Sequence, residues 1–356
     1  MDITKMLEMG KRIYSNKMLE KKDEQGNIVL SDSDAIKALV EQTFTSGGEV
    51  KNMEQLRVFN RLIVETAELE AEPRIQPILD LISDYSKVGR YDKIVYEVPK
   101  KAKIKMAITA TGAGVDFVRI TPGQKKVPAK PETHQFGVYY NIERMISDPV
   151  NEFRNAVNYV TEYKVKYIYK KILALVAAAK TAGSIPTGQV LETAGVDILD
   201  YRDLEGKLLR YGKGTKPVMV ADRNLIDSLA VKQATINLGV SGKEGLLLTD
   251  DLRKEILNSA EISQILRTTA IATDNPFTDY ANSTVDLSVN EGIVIAGGDK
   301  SPFMIREFGG MRTSQGLPDI EDERVNMKID MKLDITLLYG QAMGYVKDTS
   351  VTLWAK

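Results

Sequence analysis

Few side chains of this chain could carry out chemistry by their type and spacing. The 356 residues include no cysteine, which excludes disulfides, thiolate metal sites and cysteine nucleophiles. The single histidine, His134, excludes metal motifs that need two histidines of one chain. His134 could serve as a general base, but the sequence offers no convincing partner to orient it. We expect an ordinary exposed histidine on the approach to a strand.

Two glycine-rich segments partly resemble phosphate-binding loops. Segment 112–117 (GAGVDF) begins like a dinucleotide loop, but Phe117 replaces the third glycine and no helix follows. Segment 297–301 (GGDKS) lacks the spacing of a phosphate loop, and Pro302 opens a strand-like run where the phosphate-binding helix would begin. We therefore expect a loop at the first segment, a turn between two strands at the second, and no bound cofactor.

An acidic cluster at 319–323 (DIEDE) holds four carboxylates that could coordinate a divalent cation. The cluster lacks the calcium-loop pattern and the glycine that such a loop needs. Asp222 and the pair 250–251 stand where helix N-caps are expected, and capping explains an acidic residue there. We expect a solvated loop at 319–323 and no resident metal.

The charges of the chain balance overall but are unevenly distributed. Lys and Arg number 48 and Asp and Glu 49, which argues against a dedicated nucleic-acid binder. Segment 87–130 is nevertheless strongly basic, because only Asp92, Glu97 and Asp116 oppose its basic residues. Those basic residues are Lys87, Arg90, Lys93, Lys100, Lys101, Lys103, Lys105, Arg119, Lys125, Lys126 and Lys130.

Segregated charge of this kind can bring identical copies together, basic element to acidic element. The acidic residues predicted to take part are Glu65, Glu68, Glu70, Glu72, Glu321 and Glu323. The basic residues predicted to contact other subunits are Lys100, Lys101, Lys103, Lys105, Lys125 and Lys126. The sequence leaves two alternatives open. The basic surface could be solvated without a partner, or it could contact a nucleic-acid backbone, which the scarcity of aromatic residues disfavours.

The elements that must position these residues begin with a helical N-terminal region. A first capped helix ends at Gly47-Gly48, and a second, amphipathic helix starts at Met53. Pro73 and Pro77 are expected to interrupt the second helix or to bound a short one over 78–85. Such a string of helices is typical of an arm laid over another surface, and a small helical domain is an equal alternative.

Alternating hydrophobic residues predict strands next to the basic segment. They occur at 94–98 and 104–108, and a returning strand follows at 136–142. The stretch 109–130 is rich in glycine and proline, so it cannot be a helix. We expect a loop or an extended hairpin there.

One long helix and one long strand dominate the rest of the pattern. Ser147-Asp148-Pro149 supplies an N-cap and a first-turn proline, and 150–180 contains neither proline nor glycine. We predict a helix of about 46 Å, at 1.5 Å per residue, lying across a sheet. Hydrophobic residues then alternate without a break over 325–337, which predicts an unusually long strand.

Between them, 186–299 has an α/β pattern. The predicted helices are 200–210, 222–232, 250–257 and 258–266, and the predicted strands from here onward are 217–221, 285–289, 292–296 and 302–306. The longest apolar run, 172–179, falls short of the ~18–20 residues of a membrane span. The N-terminus is too charged for a signal peptide, so we expect a soluble intracellular protein.

The order of these elements resembles the major capsid protein of tailed bacteriophages, the Hong Kong 97-type fold. The closest local likenesses are the approach to the long helix, DFVRITPGQKKVPAKPETHQFGVYYNIERMISDPVNEFRNAV, and the C-terminal runs GIVIAGGDKSPFMIREFGG and RVNMKIDMKLDITLLYGQAMGYVKD. The resemblance implies an α+β fold with a helical N-terminal arm, an extended basic hairpin (E-loop), a long spine helix over a long-stranded sheet, and an axial α/β domain.

The resemblance also implies how the chain divides. Residues 1–93 would form the arm and 94–135 the E-loop. Residues 136–185 and 300–356 would form the peripheral domain, and 186–299 the axial domain around five- or six-fold axes. Some members of the family are cleaved or crosslinked, but no motif here matches either process.

The function that the resemblance implies is structural and not enzymatic: self-assembly into an icosahedral shell that encloses viral double-stranded DNA. Partners would be many copies of the chain as pentamers and hexamers, portal, scaffolding or decoration proteins, and weakly bound DNA, with no membrane. The location would be the virion capsid, assembled in the host cytoplasm. Two alternatives remain, an encapsulin-like protein compartment and an α/β enzyme with its site in 186–300, where spacing shows no converging polar groups.

A physical argument accompanies this interpretation. Ordering a residue costs about 1–2 kcal/mol of backbone entropy, so an appendage without a core needs a partner surface. We expect the arm and the hairpin to be such appendages, held by other copies in a closed assembly.

Proline at Val160 tests the long helix. An interior proline costs about 3 kcal/mol or more, so the Val160→Pro variant should fail to fold. Circular dichroism and solubility measure the effect, and a soluble, native-like variant would show that the helix is absent.

Overall fold

A 33-residue helix and a 14-residue strand form the framework of the fold. The computed structural model describes residues 3–22, 28–99, 124–235, 264–273, 275–298, 301–313, 317–319 and 323–353. The helices of this part are α1 Ile3–Tyr14, α2 Asp32–Thr43, α3 Met53–Ile82, α4 Ile142–Ser147, α5 Pro149–Thr181, α6 Ile198–Tyr211 and α7 Arg223–Thr235. The strands are β1 Glu20–Lys22, β2 Ile28–Ser31, β3 Ser83–Val88, β4 Val95–Pro99, β5 Gln124–Pro128, β6 Glu132–Asn141, β7 Val190–Thr193, β8 Val218–Ala221, β9 Gln264–Ile265, β10 Thr268–Ala272, β11 Glu291–Ile295, β12 Phe303–Phe308, β13 Arg312–Thr313, β14 Leu317–Asp319, β15 Arg324–Leu337 and β16 Met343–Asp348.

The long helix α5 confirms the prediction for 150–180. The Asp148 side chain accepts a hydrogen bond from the Asn151 amide, and Pro149 occupies the first turn. The buried residues recur every three or four positions, which gives the helix one continuous face toward the core. They include Phe153, Val157, Val160, Lys164, Ile168, Ile172, Val176 and Ala179.

The long strand β15 confirms the prediction for 325–337 and organises one sheet. Ten residue pairs join it antiparallel to β6, and β12 pairs with its C-terminal half. The sheet continues from β12 to a parallel β3, while β13 and β14 also pair with β15. Alternate β15 side chains are buried in the same core as α5, as the period of two requires. The spine helix and the long strand therefore share one core.

The second sheet has the order β7-β16-β11-β8-β10-β9. Helices α6 and α7 contribute to a separate core on this sheet, together with β16. The expected division placed all of 300–356 in the peripheral domain, whereas β16 lies between β7 and β11 in this second sheet. Five of the six β16 residues are buried, and a strand apolar on both faces is stable only inside a sheet.

Several local predictions for this region need correction. The strand expected at 285–289 is reduced to a single bridge between Phe277 and Val285. Gln264 and Ile265, expected at the end of a helix over 258–266, form β9 instead. The rest of that helix and the helix expected over 250–257 lie outside the described residues. The predicted helices at 200–210 and 222–232 and the strand at 217–221 are confirmed within a few residues by α6, α7 and β8.

The N-terminal region is helical as predicted, but it is not an appendage without a core. Phe59, Ile63 and Ala67 of α3 are fully buried in the core that contains α5. The Thr161 hydroxyl donates to the Ala67 carbonyl (3.2 Å), and the Arg154 guanidinium donates to the Ile13 carbonyl (3.1 Å). The described part of the arm is therefore held by its own chain.

Helix α3 also runs through both prolines at 73 and 77, contrary to the prediction. Ser83–Tyr85, expected in a short helix over 78–85, begins the strand β3 instead. Each interior proline removes a helical hydrogen bond and costs about 3 kcal/mol. Burial of the apolar face of α3 against α5 offsets this cost, so tertiary packing overrides the local signal.

A buried ion pair joins the spine helix to the sheet. Lys164 of α5 and Glu307 of β12 are 1% and 0% exposed, and their Nζ and Oε1 atoms are 2.8 Å apart. The hydroxyl of Tyr85 in β3 donates to the other carboxylate oxygen of Glu307 at 2.6 Å. Burial acts to raise the pKa of Glu307, but Lys164, the hydrogen bonds from Lys164 and Tyr85, and Lys87 outweigh it, so the pKa lies below its usual range.

A second buried carboxylate, Asp348, fastens the C-terminal end of β16. It accepts hydrogen bonds from the amides of Gly195 (2.7 Å) and Val196 (2.9 Å) and from the Nζ of Lys232 (2.6 Å). Burial acts to raise the pKa of Asp348, but the bonds from Lys232, Ser350 and these amides outweigh it and hold the pKa well below its usual range.

We expect Lys164→Met to lower the free energy of unfolding by about 3–5 kcal/mol, because it leaves Glu307 buried and unpaired. The double variant Lys164→Met/Glu307→Gln should recover much of this loss, since the amide is neutral and still accepts from Tyr85. Urea unfolding of the unassembled subunit at pH 7 measures both effects.

Lys166→Met is the matched control, because its partner Asp286 is partly exposed and such pairs contribute about 0–1 kcal/mol. A Lys164→Met variant no less stable than Lys166→Met would contradict the structural role of the buried pair.

We expect Asp348→Asn to reduce stability above pH 5 and to flatten the dependence of stability on pH in acid. The folded-state pKa of Asp348 is depressed, so its contribution is present above the unfolded pKa and is lost as the pH falls through the folded pKa. Urea midpoints measured from pH 2 to 7, a range that enters the interval between the folded and unfolded pKa values, test this. Parallel curves for the wild type and the variant would show that Asp348 does not contribute to the acid sensitivity.

Candidate functional site

The predicted subunit contacts that fall within the described residues lie on the hairpin β4–β5, on helix α3 and directly before β15. Among the described residues, no group of three or more His, Cys, Asp or Glu side chains could hold a metal ion. Within the same residues, no helix has the length and apolar character to cross a membrane. The candidate site consists of the surfaces of these three elements.

The hairpin is a two-stranded antiparallel sheet that confirms the strand predicted at 94–98. Its root is anchored by Tyr96, which is buried and whose hydroxyl donates to Asp334 of β15. The Lys130 amide donates to the same carboxylate at 3.2 Å, and the guanidinium of Arg306 lies 5.8 Å from the centre of the Tyr96 ring. Burial, followed by the bond to Asp334, raises the pKa of the Tyr96 hydroxyl. The hairpin therefore leaves the body at a point fixed by buried hydrogen bonds.

Beyond the root, the hairpin strands pair only with each other among the described residues. Lys126 is 70% exposed and its Nζ is 3.9 Å from a carboxylate oxygen of the exposed Glu97, a contact that contributes little to stability. Lys125 belongs to β5 and pairs with Val98 through the backbone. Lys100, Lys101, Lys103 and Lys105, together with the strand expected at 104–108, lie outside the described residues.

Three of the four acidic residues of α3 that were predicted as subunit contacts already have partners within the chain. Glu68 and Glu72 both pair with Lys87 of β3, the former at 2.8 Å, and Glu68 also accepts from the Met311 amide at 2.8 Å. Glu65 pairs with Arg61 one helical turn away at 2.5 Å. Burial lowers the pKa of Lys87, but the bonds to Glu68 and Glu72 more than offset it. Because these carboxylates are already paired within the chain, basic residues of a second copy would gain less electrostatic energy by contacting them.

The remaining acidic candidates are Glu70, Glu321 and Glu323. Glu70 is partly exposed, and no ion pair joins it to another described residue. Glu323 is exposed with a backbone φ of 47°, and its carbonyl accepts from the Ile142 amide at 2.8 Å. Glu321 lies outside the described residues. Glu323 is thus an exposed carboxylate directly before β15.

The expectation of an exposed, unpartnered histidine is wrong. His134 is 16% exposed, and its Nδ1 atom is 2.7 Å from the hydroxyl of Tyr167 on α5. Burial, and then the charge of Lys171, lower the pKa of His134. The partner is remote in sequence, so nothing near position 134 could have revealed it.

Sequence reasoning also missed the Lys164–Glu307 pair, although a signal was present. Lys164 falls on the otherwise apolar face of α5, between Val160 and Ile168. A lone cation at such a position predicts a buried partner, because an unpaired buried charge is too costly to retain. The identity of that partner could not be read from the sequence.

Comparison with known proteins gives a consistent family. Among solved structures, those of Mycobacterium phage Patience (TM-score 0.46, 11% identity, 88% of this chain and 92% of that one) and of the bacteriophage PhiM1 mature capsid (TM-score 0.46, 12% identity, 76% and 87%) are similar in part. The virus-like particle from Pyrococcus furiosus has a TM-score of 0.39 at 12% identity over 80% of this chain and 98% of that one. Scores below 0.5 carry no argument by themselves, so the assignment rests on sequence.

Two sequence matches decide the family. The SPbeta prophage-derived protein YonB of Bacillus subtilis (strain 168), itself uncharacterized, is 36% identical over 98% of both chains. A family model described as "SPbeta prophage-derived putative capsid protein YonB" matches residues 5–347. This match spans both sheets, the spine helix and the hairpin root. The chain therefore belongs to the YonB family of prophage-derived capsid proteins.

Proposed function

We propose that the chain is the major capsid protein of a tailed bacteriophage and that many copies assemble into an icosahedral shell around double-stranded DNA. The observation that carries the proposal is the family match over residues 5–347. The α+β fold supports it, because the spine helix, the long-stranded sheet and a projecting hairpin are the elements that the resemblance to phage capsid proteins implies.

The geometry of the hairpin supports assembly with other copies. An isolated two-stranded hairpin is marginally stable in water. Here β4 and β5 pair only with each other in the described part of the chain, and Val95 of β4 is 49% exposed. The neighbouring Tyr91 is 82% exposed. The hairpin thus has an anchored root and open faces, and the surface of an adjacent subunit would cover them.

The parts of the subunit take these roles in the proposal. Residues 1–93 form the arm, folded in its described part on the spine helix, and 94–135 form the E-loop. Residues 136–185 and the long strands up to about 337 form the peripheral domain. Residues 186–299 with β16 form the axial domain, which meets its copies around five- and six-fold axes as pentamers and hexamers.

The surroundings follow from the same proposal. Portal, scaffolding or decoration proteins would complete the shell, and DNA would be held by weak, non-specific contact, as suits a net charge of −1. The location would be the virion capsid, after assembly in the host cytoplasm. An α/β enzyme with a site in 186–300 has no support from the family.

Electron microscopy of the purified, expressed protein tests the proposal. Closed particles of uniform size, with nucleic acid in those recovered from infected cells, are expected. A protein that stays monomeric or dimeric at high concentration would overturn it. Particles that contain a co-purifying enzyme and no nucleic acid would identify an encapsulin-like compartment instead.

The hairpin charges allow a sharper prediction. Reversing Lys100, Lys101, Lys103 and Lys105 to Glu should reduce the particle yield at least tenfold while leaving the thermal unfolding of the subunit nearly unchanged. Particle yield by sedimentation and unfolding by circular dichroism measure the two effects.

The matched control reverses four exposed lysines on other surfaces, Lys17, Lys37, Lys213 and Lys216, and so makes the same change in net charge. Equal yields from the two variants would remove the inter-subunit role assigned to the hairpin lysines.

A further inference from the structure

A basic groove lies between α3 and the turn that joins β12 to β13. It has a volume of about 620 Å³ and is bordered by Arg57, Arg61 and Glu65 of α3 and by Arg312 of β13. The turn adopts left-handed backbone angles at Gly309 and Gly310, and a Cβ atom at Gly310 would lie 2.6 Å from the Glu68 carboxylate. The groove wall is therefore shaped by the fold itself.

Neighbouring carboxylates neutralise the arginines of this groove only in part. Arg57 and Arg312 are exposed, and neither forms an ion pair with another described residue. Arg61 is paired with Glu65 at 2.5 Å. Three guanidinium groups thus face a single carboxylate, which leaves the groove with an excess of positive charge.

The floor of the groove is apolar. Val64 and Met311 line it, and they are 1% and 5% exposed. A guanidinium group binds carboxylates through a planar fork of two hydrogen bonds, so the carboxylates of a short acidic peptide are fitting partners for this surface.

One segment of the chain has this chemistry. Residues 319–323 (DIEDE) carry four carboxylates in five residues, with Ile320 among them. No other window of five residues in the sequence has as many. Pro318 precedes the segment and pairs with β15. Arg324 follows the segment and is the first residue of β15.

A subunit cannot place this segment in its own groove. Asp319 pairs with Arg324, whereas Arg312 pairs with Asp330, six residues further along β15. At about 3.3 Å per residue the two positions are about 20 Å apart. Both ends of the acidic segment are held beside Arg324, so a second copy must provide the occupant.

We propose that the groove formed by Arg57, Arg61 and Arg312 binds the acidic segment 319–323 of a neighbouring subunit. This inference rests on the proposed shell function and names one of its contacts. In this contact, carboxylates of the segment bond to the arginines of the groove.

Charge exchange tests the contact. Arg57→Glu/Arg312→Glu and, separately, Glu321→Arg/Asp322→Arg should each lower the particle yield at least tenfold, and all four changes in one chain should restore it to within threefold of wild type. Lys37→Glu, an exposed cation outside the groove, should have no such effect. Normal yield from the arginine variant, or no recovery in the combined variant, would overturn the proposal.

Crosslinking provides a second readout that does not depend on particle yield. Because the chain has no cysteine, Arg312→Cys in one subunit and Glu321→Cys in another create a unique pair of thiols. Mixed particles oxidised with copper phenanthroline should give a dimer on a non-reducing gel, and a mixture with Lys37→Cys in place of Arg312→Cys should not. Absence of the dimer in intact particles would overturn the proposal.

The outcomes separate this contact from the shell function. Intact particles of the mixed cysteine variants without the crosslink would overturn the contact and leave the shell standing, whereas the absence of particles from the wild-type chain would overturn both. Normal particles with a reduced nucleic-acid content in the arginine variant would show that the groove faces nucleic acid, and this too would overturn the peptide contact.

Discussion

The buried ion pair between Lys164 and Glu307 ties the two halves of the framework together. It joins the spine helix to the sheet, and the hydroxyl of Tyr85 adds a third element to the same network. A buried ion pair recovers its desolvation penalty only with good geometry and further hydrogen bonds, and the packing of α5, β12 and β3 supplies both. Lys87 follows Tyr85 on β3 and extends the network to Glu68 and Glu72 of α3. Helix α3 is thereby joined to the same network as α5, β12 and β3.

This frame provides the rigid body that a shell subunit needs. The hairpin root is fixed on β15 through Tyr96 and Asp334, and the basic groove is built from α3 and β13. The surfaces that we propose to meet a neighbour are accordingly carried on elements whose relative positions are set by polar contacts. Rigid presentation reduces the entropy lost on association, because fewer groups become ordered when subunits meet.

Fewer residues than the sequence indicated need a neighbouring subunit to offset the entropy lost when they become ordered. The N-terminal helices are buried against α5 and need no second subunit to be ordered. The strands of the hairpin β4–β5 pair with no further strand among the described residues. The family assignment does not depend on this argument, since it rests on the match over residues 5–347. The need for neighbouring copies therefore rests on the hairpin and on exposed charge.

Local patterns in the sequence determined the elements with the strongest periodicity: the spine helix that follows Asp148-Pro149, the strand over 325–337 and strand β4 of the hairpin. Their period, caps and missing prolines act over a few residues, so they can be read without knowing what the elements contact. Tertiary structure alone decided the continuity of α3 through two prolines, the placement of β16 in the second sheet, and the partners of Lys164 and His134. Each of these depends on burial or on pairing between residues far apart in the chain. Such interactions arise only when the elements have packed together, and no local pattern encodes which distant residue will be the partner.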